Sequence, residues 1–300
     1  RQESRPGDGR TEHDRDPRLM SLAELAAQHG LHRVGARPPL WSYLRQTWAR
    51  RQFVVTMAEF RLRASMEANR LGIVWLVIRP LLNAVIYGTI FGVLQQDNRA
   101  PDYAARVMVG VFLWHFFASC LTDGAKSITG NQSLVQSLAF PRMTLPLAEV
   151  IEQFLALLPA LAMLAVLLPL MGDPPTWNWL LMIPLLGLYT LFNTGVALIA
   201  ARLTVHLRDL TQLLPFISRI LFYTSGVLFD VSRLFKAHPW IVQVYDFHPL
   251  YQVLQLARST LMGVEGVDPN YWGYFSIWAV LTFVAGLLFC CLGEECYGRD

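Results

Sequence analysis

Runs of about twenty apolar residues recur along this chain, and this repetition restricts its fold more than any other feature. An α-helix rises about 1.5 Å per residue, so about 20 apolar residues cross the roughly 30 Å hydrocarbon core of a bilayer. The runs predict an all-α integral membrane protein with six transmembrane helices, which cover 73–94, 105–121, 144–171, 177–201, 213–229 and 271–291.

Composition and motifs exclude several other classes of protein. Charged residues make up only 16% of the 300 residues, and the formal net charge of +3 gives no reason to expect a nucleic-acid partner. The four cysteines do not have the paired spacing of a zinc site, so no metal is expected. The sequence also lacks the glycine-rich, lysine-containing phosphate loop of many ATPases, so this chain is not expected to bind ATP by that device.

The region before the first span divides into two parts. Residues 1–38 are rich in charged residues and lack a signal-peptide apolar run, which predicts a partly disordered cytoplasmic extension. Within 39–72, Trp41, Leu44 and Trp48 repeat at helical spacing, and arginines occupy the remaining positions. This pattern favours one amphipathic helix at the lipid interface. A soluble amphipathic helix packed on a partner is the alternative. Residues 73–300 form the predicted six-span domain.

The distribution of arginine and lysine predicts the orientation. Seven arginines between Arg37 and Arg70 precede the first span, whereas the loop at 172–176 has neither Lys nor Arg. Because basic loops remain in the cytoplasm, both termini are expected on the cytoplasmic side. The connection at 230–270 is rich in aromatic and apolar residues, which favours short re-entrant helices before the last span.

Five stretches resemble the ABC-2 type permeases that export polysaccharides, the Wzm family of O-antigen, capsule, teichoic acid and galactan exporters. Together they cover most of the chain from 61 to 299. They are RASMEANRLGIVWLVIRPLL from Arg63, VGVFLWHFFASCLTDGAKSI from Val109, NQSLVQSLAFPRMTLPLAEV from Asn131, HLRDLTQLLPFISRILFYTSGVLF from His206, and HPLYQVLQLAR from His248 with GEECYGR near the end.

The resemblance implies a transport subunit rather than an enzyme. It implies a homodimer in the bacterial inner membrane that binds two copies of a nucleotide-binding ATPase. ATP and Mg would be bound by that partner, and this chain would have no cofactor of its own. The substrate would be a lipid-linked polysaccharide that leaves the cytoplasm through the permease.

A sugar chain presents flat C–H faces, on which aromatic rings can stack, and hydroxyl groups, which bind polar side chains. Residues of this kind at helical spacing on the predicted spans are the candidates for the substrate path. Ordinary helix packing is the alternative for each of them. They are Asn83, Tyr87, Phe91, Phe112, Phe116 and Tyr223.

Two further groups of residues have predicted roles. Arg79 and Arg219 lie at a depth near the inner-leaflet headgroups, where either can bind the pyrophosphate of the lipid carrier. Snorkelling to the interface or pairing with Glu149 or Glu152 is the alternative. By the resemblance, the second loop forms a coupling helix that docks into the ATPase and that Pro141 ends before the third span. Its candidate residues are Asn131, Leu134, Val135, Leu138, Pro141 and Arg142.

Other functions remain open at this stage. An ABC-2 exporter of a smaller lipid or drug has the same architecture. A proton-coupled glycolipid flippase needs acidic residues in the membrane, and only Glu149 and Glu152 are available. Both lie near the interface, where pairing with Arg142 or another arginine is expected instead. A membrane glycosyltransferase or phosphotransferase needs a metal-binding acidic motif such as D-x-D at the membrane interface, and residues 39–300 contain none.

Overall fold

The computed structural model describes residues 40–67, 70–72, 74–94, 102–137, 141–231, 238–264 and 267–292. The regular structure of these residues consists of α-helices and two short 3-10 helices, Thr129–Asn131 and Trp177–Leu181. The α-helices are α1 (Leu40–Ala49), α2 (Arg51–Glu67), α3 (Val74–Leu94), α4 (Tyr103–Lys126), α5 (Gln132–Ser137), α6 (Thr144–Met171), α7 (Met182–His206), α8 (Leu210–Thr224), α9 (Pro239–Asp246), α10 (Pro249–Met262) and α11 (Tyr271–Cys291).

Five segments among the described residues are long and apolar enough to cross a membrane. They are α3, α4, α6, the Trp177–His206 segment that contains α7, and α11. The prediction of a helical membrane protein is confirmed. The predicted third and last spans agree with α6 and α11 at both ends, because apolar residues extend to the ends of these helices.

The predicted fifth span, 213–229, is wrong as a single helix. Helix α8 ends at Thr224 and has 15 residues, which cover only about 22 Å at helical rise. Gly226 then adopts a φ of 74°, a left-handed conformation that glycine tolerates better than other residues. The carbonyls of Gly226 and Val227 accept hydrogen bonds from the Arg258 guanidinium at 3.1 and 2.9 Å. A tertiary contact therefore replaces the helical hydrogen bonds that would continue α8.

Three other predicted boundaries also change. The second span extends over Tyr103–Lys126 rather than 105–121, since polar residues at both ends continue the helix. The fourth begins with a 3-10 helix, Trp177–Leu181. The single amphipathic helix is two helices that meet at Arg50. The extension at 1–38 lies outside the described residues.

Helix α4 is the centre of the protomer. It packs against α3, α6, α7, α8 and α10, and its buried side chains form much of the apolar core. The Tyr189 hydroxyl of α7 donates to the Leu113 carbonyl of α4 at 3.0 Å. On its other side α7 packs closely against α11, where a Cβ on Gly195 would lie 2.3 Å from the Thr282 carbonyl carbon. Only glycine permits this approach of the two helices.

The two N-terminal helices attach to one end of the spans. Tyr43 of α1 is only 2% exposed, and its hydroxyl accepts a hydrogen bond from the Met143 amide at 3.3 Å. Val54 and Ala58 are the buried residues of α2, which packs along α6. Trp41 and Trp48 remain exposed, as expected for side chains that contact the lipid interface.

Candidate transport path and coupling surface

An aromatic face shared by α3 and α8 is the first candidate site. The ring of Tyr87 lies 5.0 Å from that of Phe222, and the ring of Phe91 lies 6.5 Å from that of Tyr223. Asn83 is exposed one helical turn before Tyr87, and Tyr223 is also exposed. We call these five residues the α3–α8 face. It contains four of the six residues that the sequence predicted to line a path.

The other two predicted residues lie elsewhere. Phe112 and Phe116 of α4 are 1% and 2% exposed and belong to the core of the protomer. The ring of Phe116 packs edge-on against Tyr189 at 5.5 Å and against Phe154 at 6.3 Å. The ring contacts of Phe116 are with α6 and α7, and Phe112 is buried in the same core, so the structure separates both from the open surface of the α3–α8 face.

The two arginines predicted to bind pyrophosphate flank this face. Arg79 is exposed on α3, four residues before Asn83, and its guanidinium lies 5.8 Å over the ring of Trp75. Arg219 is exposed on α8, four residues before Tyr223. Among the described residues, neither arginine forms an ion pair with an acidic side chain. Both are therefore accessible to an anionic ligand at the edge of the aromatic face.

The predicted coupling segment is partly described. It begins in a 3-10 helix that ends at Asn131, and α5 then covers Gln132–Ser137. Leu134 is half-buried and Pro141 is buried. Helix α5 is described as far as Ser137, and residues 138–140 lie outside the described residues, so the end of this helix at Pro141 stays a prediction. Leu138 and the side chain of Val135 lie outside the description, and Arg142 is half-buried just before α6.

A polar cluster connects this segment to α2 and α6. The Arg61 guanidinium donates to Glu149 Oε2 at 3.0 Å and to Asn131 Oδ1 at 3.1 Å. Asn131 donates in turn to the Ser127 carbonyl at 2.7 Å, and Gln153 donates to Glu149 Oε1 at 3.0 Å. The pairing of Glu149 with an arginine is as expected. One guanidinium therefore links α2, α6 and Asn131, the residue that ends the 3-10 helix before α5.

A second polar network lies at the opposite end of α4. Arg258 of α10 is 3% exposed and donates to three carbonyls, those of Gly226, Val227 and Arg106. Burial lowers the pKa of Arg258 to about 10, which leaves the group charged at neutral pH. The Tyr103 hydroxyl donates to the Leu228 carbonyl at 2.9 Å. These bonds fix the segment that follows α8, and they therefore fix the end of the α3–α8 face.

Among the residues that the structure describes, no group of three His, Cys, Asp or Glu side chains could hold a metal ion.

A protein-family model described as ABC-2 type transporter matches residues 52–262. This chain belongs to the ABC-2 type transporter family. The match extends from α2 to the end of α10. It includes the α3–α8 face, the polar cluster around Arg61 and the residue Arg258 of this ABC-2 transporter chain.

Several curated proteins are similar to this ABC-2 transporter chain over most of their length. The O-antigen export system permease protein RfbA of Klebsiella pneumoniae is 28% identical over 210 residues, which are 70% of this chain and 79% of that protein. The protein of the same name from Myxococcus xanthus is 24% identical over 64% of this chain and 73% of that protein. The polysialic acid transport protein KpsM of Escherichia coli is 25% identical over 78% of this chain and 90% of that protein.

Sequence reasoning missed two residues of this ABC-2 transporter chain. Arg61 is one of the arginines within 39–72, and nothing in the local sequence indicates that it reaches Glu149, 88 positions away. Arg258 had a usable signal, since it is a lone charge in the apolar stretch from Leu250 to Leu261. A buried charge in such a stretch needs partners, and here they are backbone carbonyls.

Proposed function

We propose that this chain is the membrane subunit of an ATP-driven exporter that moves a lipid-linked polysaccharide out of the cytoplasm. The observation that carries the proposal is the family match over 52–262, together with relatives named for O-antigen export and polysialic acid transport. Those names favour a polysaccharide over a smaller lipid or drug. The bond of Glu149 to Arg61 argues against a proton-coupled flippase, since it engages one of the two acids that such a mechanism needs.

In this proposal the chain hydrolyses no ATP. Two copies of a separate ATPase subunit bind ATP and Mg, and two copies of this chain form the membrane part. The segment from Asn131 to Arg142 docks into the ATPase. The Arg61 cluster supports this role, because it connects the segment to α2 and α6 through direct hydrogen bonds.

The proposed membrane placement has six spans. Helix α8 and the residues that follow it, 225–231, form the fifth span together, and the short helices α9 and α10 re-enter the membrane from outside. Five of these seven residues are buried; Phe229 and Asp230 are half-buried. The burial of α10 along most of its length supports the re-entry, since a solvated loop helix would expose more of its surface. Both termini lie in the cytoplasm, and the membrane is the bacterial inner membrane.

The proposed path lies along the α3–α8 face, between the two copies of the chain. Aromatic rings on this face stack on sugar C–H surfaces without selecting one sugar sequence, and Asn83 offers hydrogen bonds to hydroxyls. Arg79 and Arg219 bind the pyrophosphate of the carrier before the glycan advances. Both side chains are exposed and near the face, as this step requires.

Reconstitution tests the proposal. The chain and its ATPase are placed in liposomes with a lipid-linked glycan, and transfer of glycan to the opposite side is followed with a lectin that cannot cross the membrane. We expect ATP-dependent transfer from the complex, and no ATP hydrolysis by the isolated chain. ATPase activity of the isolated chain, or a complex that transports small lipids and no tested glycan, would overturn the proposal.

A further inference from the structure

A large apolar cavity lies between the N-terminal helices and the span bundle, away from the α3–α8 face. Its volume is about 1130 Å³. Leu147 and Ile151 of α6 line it from one side, and Phe283 and Leu287 of α11 from another. Helices α1 and α2 line its remaining side, and no residue of α3 or α8 lines it. Pockets for drug-sized molecules measure roughly 300–1,000 Å³, so this cavity suits a larger, elongated apolar ligand.

The polar lining of the cavity is cationic. Arg45 and Arg51 line it from α1 and α2, and none of its lining residues is acidic. The Arg51 guanidinium lies 5.5 Å over the ring of Trp48, which holds it beside the cavity. In the part of the chain that the structure describes, neither arginine forms an ion pair. The site therefore combines a deep apolar volume with two guanidinium groups, a combination that matches lipid tails and a phosphate.

Trp41 and Trp48 also line the cavity and are mainly exposed. Tryptophan concentrates at the headgroup level of membranes, so the arginines next to these rings lie where lipid phosphates are found. Arginine binds phosphate oxygens through two parallel hydrogen bonds. Two guanidinium groups without an acidic neighbour also attract a net negative headgroup more strongly than a zwitterionic one, whose own cation they repel.

We propose that this cavity binds one anionic phospholipid of the surrounding membrane, with its acyl chains against α6 and α11 and its phosphate between Arg45 and Arg51. The lipid fills the space beneath α1 and α2 and holds them against the bundle. Because α2 also contains Arg61, the bound lipid stabilises the helix through which the coupling segment is connected to α6. The inference rests on the proposed interfacial position of α1 and α2, and it requires neither glycan nor ATPase.

The test uses photo-crosslinking in the full-length chain. Leu147 is replaced with the photoreactive residue benzoylphenylalanine, and Ile151 is replaced in a second variant in case the first does not fold. Each variant is reconstituted in vesicles of phosphatidylcholine with phosphatidylglycerol and irradiated, and the adducts are identified by mass. We expect a phosphatidylglycerol adduct, whose yield falls about tenfold in Arg45→Gln/Arg51→Gln. The control Arg63→Gln, an exposed arginine of α2 outside the cavity, leaves the yield unchanged.

Three results would overturn the proposal: equal yields of both lipids that do not depend on Arg45 and Arg51, an adduct with residues 1–39 of the same chain, and no adduct in either folded variant. Binding of the lipid-linked glycan here instead would appear as a glycan-bearing adduct when that substrate is added, and it would also overturn the proposal. None of these results depends on transport, so they are distinguishable from a failure of the proposed function.

Discussion

Helices α3 and α4 are neighbours, and the most hydrophobic stretch of each is equally apolar. The two helices nevertheless have opposite environments. In α4, 67% of that stretch is buried within the protomer, whereas in α3 the buried share is 17%. Both helices satisfy the length and composition of a membrane span. Only α4 is surrounded by other helices of the same chain.

The difference separates the aromatic residues of the core from those on a face that is open in the folded chain. Rings on α4 fill the core, so their contacts stabilise the protomer. The rings of the α3–α8 face contact each other over Phe222, which is buried, while Asn83 and Tyr223 of the same face stay exposed. The buried helix therefore supports the fold, and the open one presents the proposed path.

The largest expected effect on stability comes from removing a buried ring of α4, and the comparison is with removal of a ring of α3. Phe116→Ala leaves a cavity in the core and should lower the free energy of unfolding by about 3–5 kcal/mol. Phe91→Ala, on the half-buried α3–α8 face, should cost less than about 1.5 kcal/mol but reduce glycan transport. Thermal unfolding in detergent and a liposome transport assay measure the two effects. Equal stability of the two variants would contradict the distinction between the core rings of α4 and the rings of the α3–α8 face.

The contrast extends to charged residues. Arg258 is buried and donates to three carbonyls, so Arg258→Met should destabilise the protein by about 2–4 kcal/mol, since those buried carbonyls lose their donors. Arg219→Met, the matched change at an exposed position, should alter stability by less than about 0.5 kcal/mol. Denaturation of both variants in the same detergent gives the comparison. A stable Arg258→Met protein would show that the segment after α8 is held by other contacts.

A smaller effect is expected at the pair of Glu149, which is buried, and Arg61, which is half-buried. Glu149→Gln should weaken their bond by about 1 kcal/mol and lower the glycan transported per ATP hydrolysed, because α2 and α6 then respond less to the coupling segment. A double-mutant cycle with Arg61→Gln isolates the pairwise free energy, and Arg63→Gln is the control for charge loss on α2. If the effects of the two substitutions on stability and coupling are strictly additive, the bond between Arg61 and Glu149 takes no part in coupling.

The smallest effect on stability is expected at the exposed arginines. Arg79→Gln/Arg219→Gln should unfold within about 0.5 kcal/mol of the unchanged protein but should lose the stimulation of ATP hydrolysis by the lipid-linked glycan. Titration of the assembled complex with that glycan measures the stimulation. Full stimulation and transport in the double variant would exclude these arginines from pyrophosphate binding.

The sequence predicted the positions of most spans because apolar length is a local property, and α6 and α11 agree at both ends. The end of α8 was not predictable in this way, since the Arg258 side chain that interrupts it comes from 32 residues further along the chain. Helix α4 has aromatic residues on several faces, Phe112, Trp114, Phe116 and Phe117, so spacing alone could not distinguish core from path. Burial in the folded chain supplies that distinction.

The most direct test of the central claim compares two positions that are both exposed on spans. Benzoylphenylalanine replaces Asn83 on the α3–α8 face or, as the control, Val280 on α11, which is 50% exposed. The assembled complex is irradiated while it transports a labelled glycan. The account predicts glycan adducts at position 83 and only lipid adducts at position 280. Glycan adducts at 280 without adducts at 83 would contradict it.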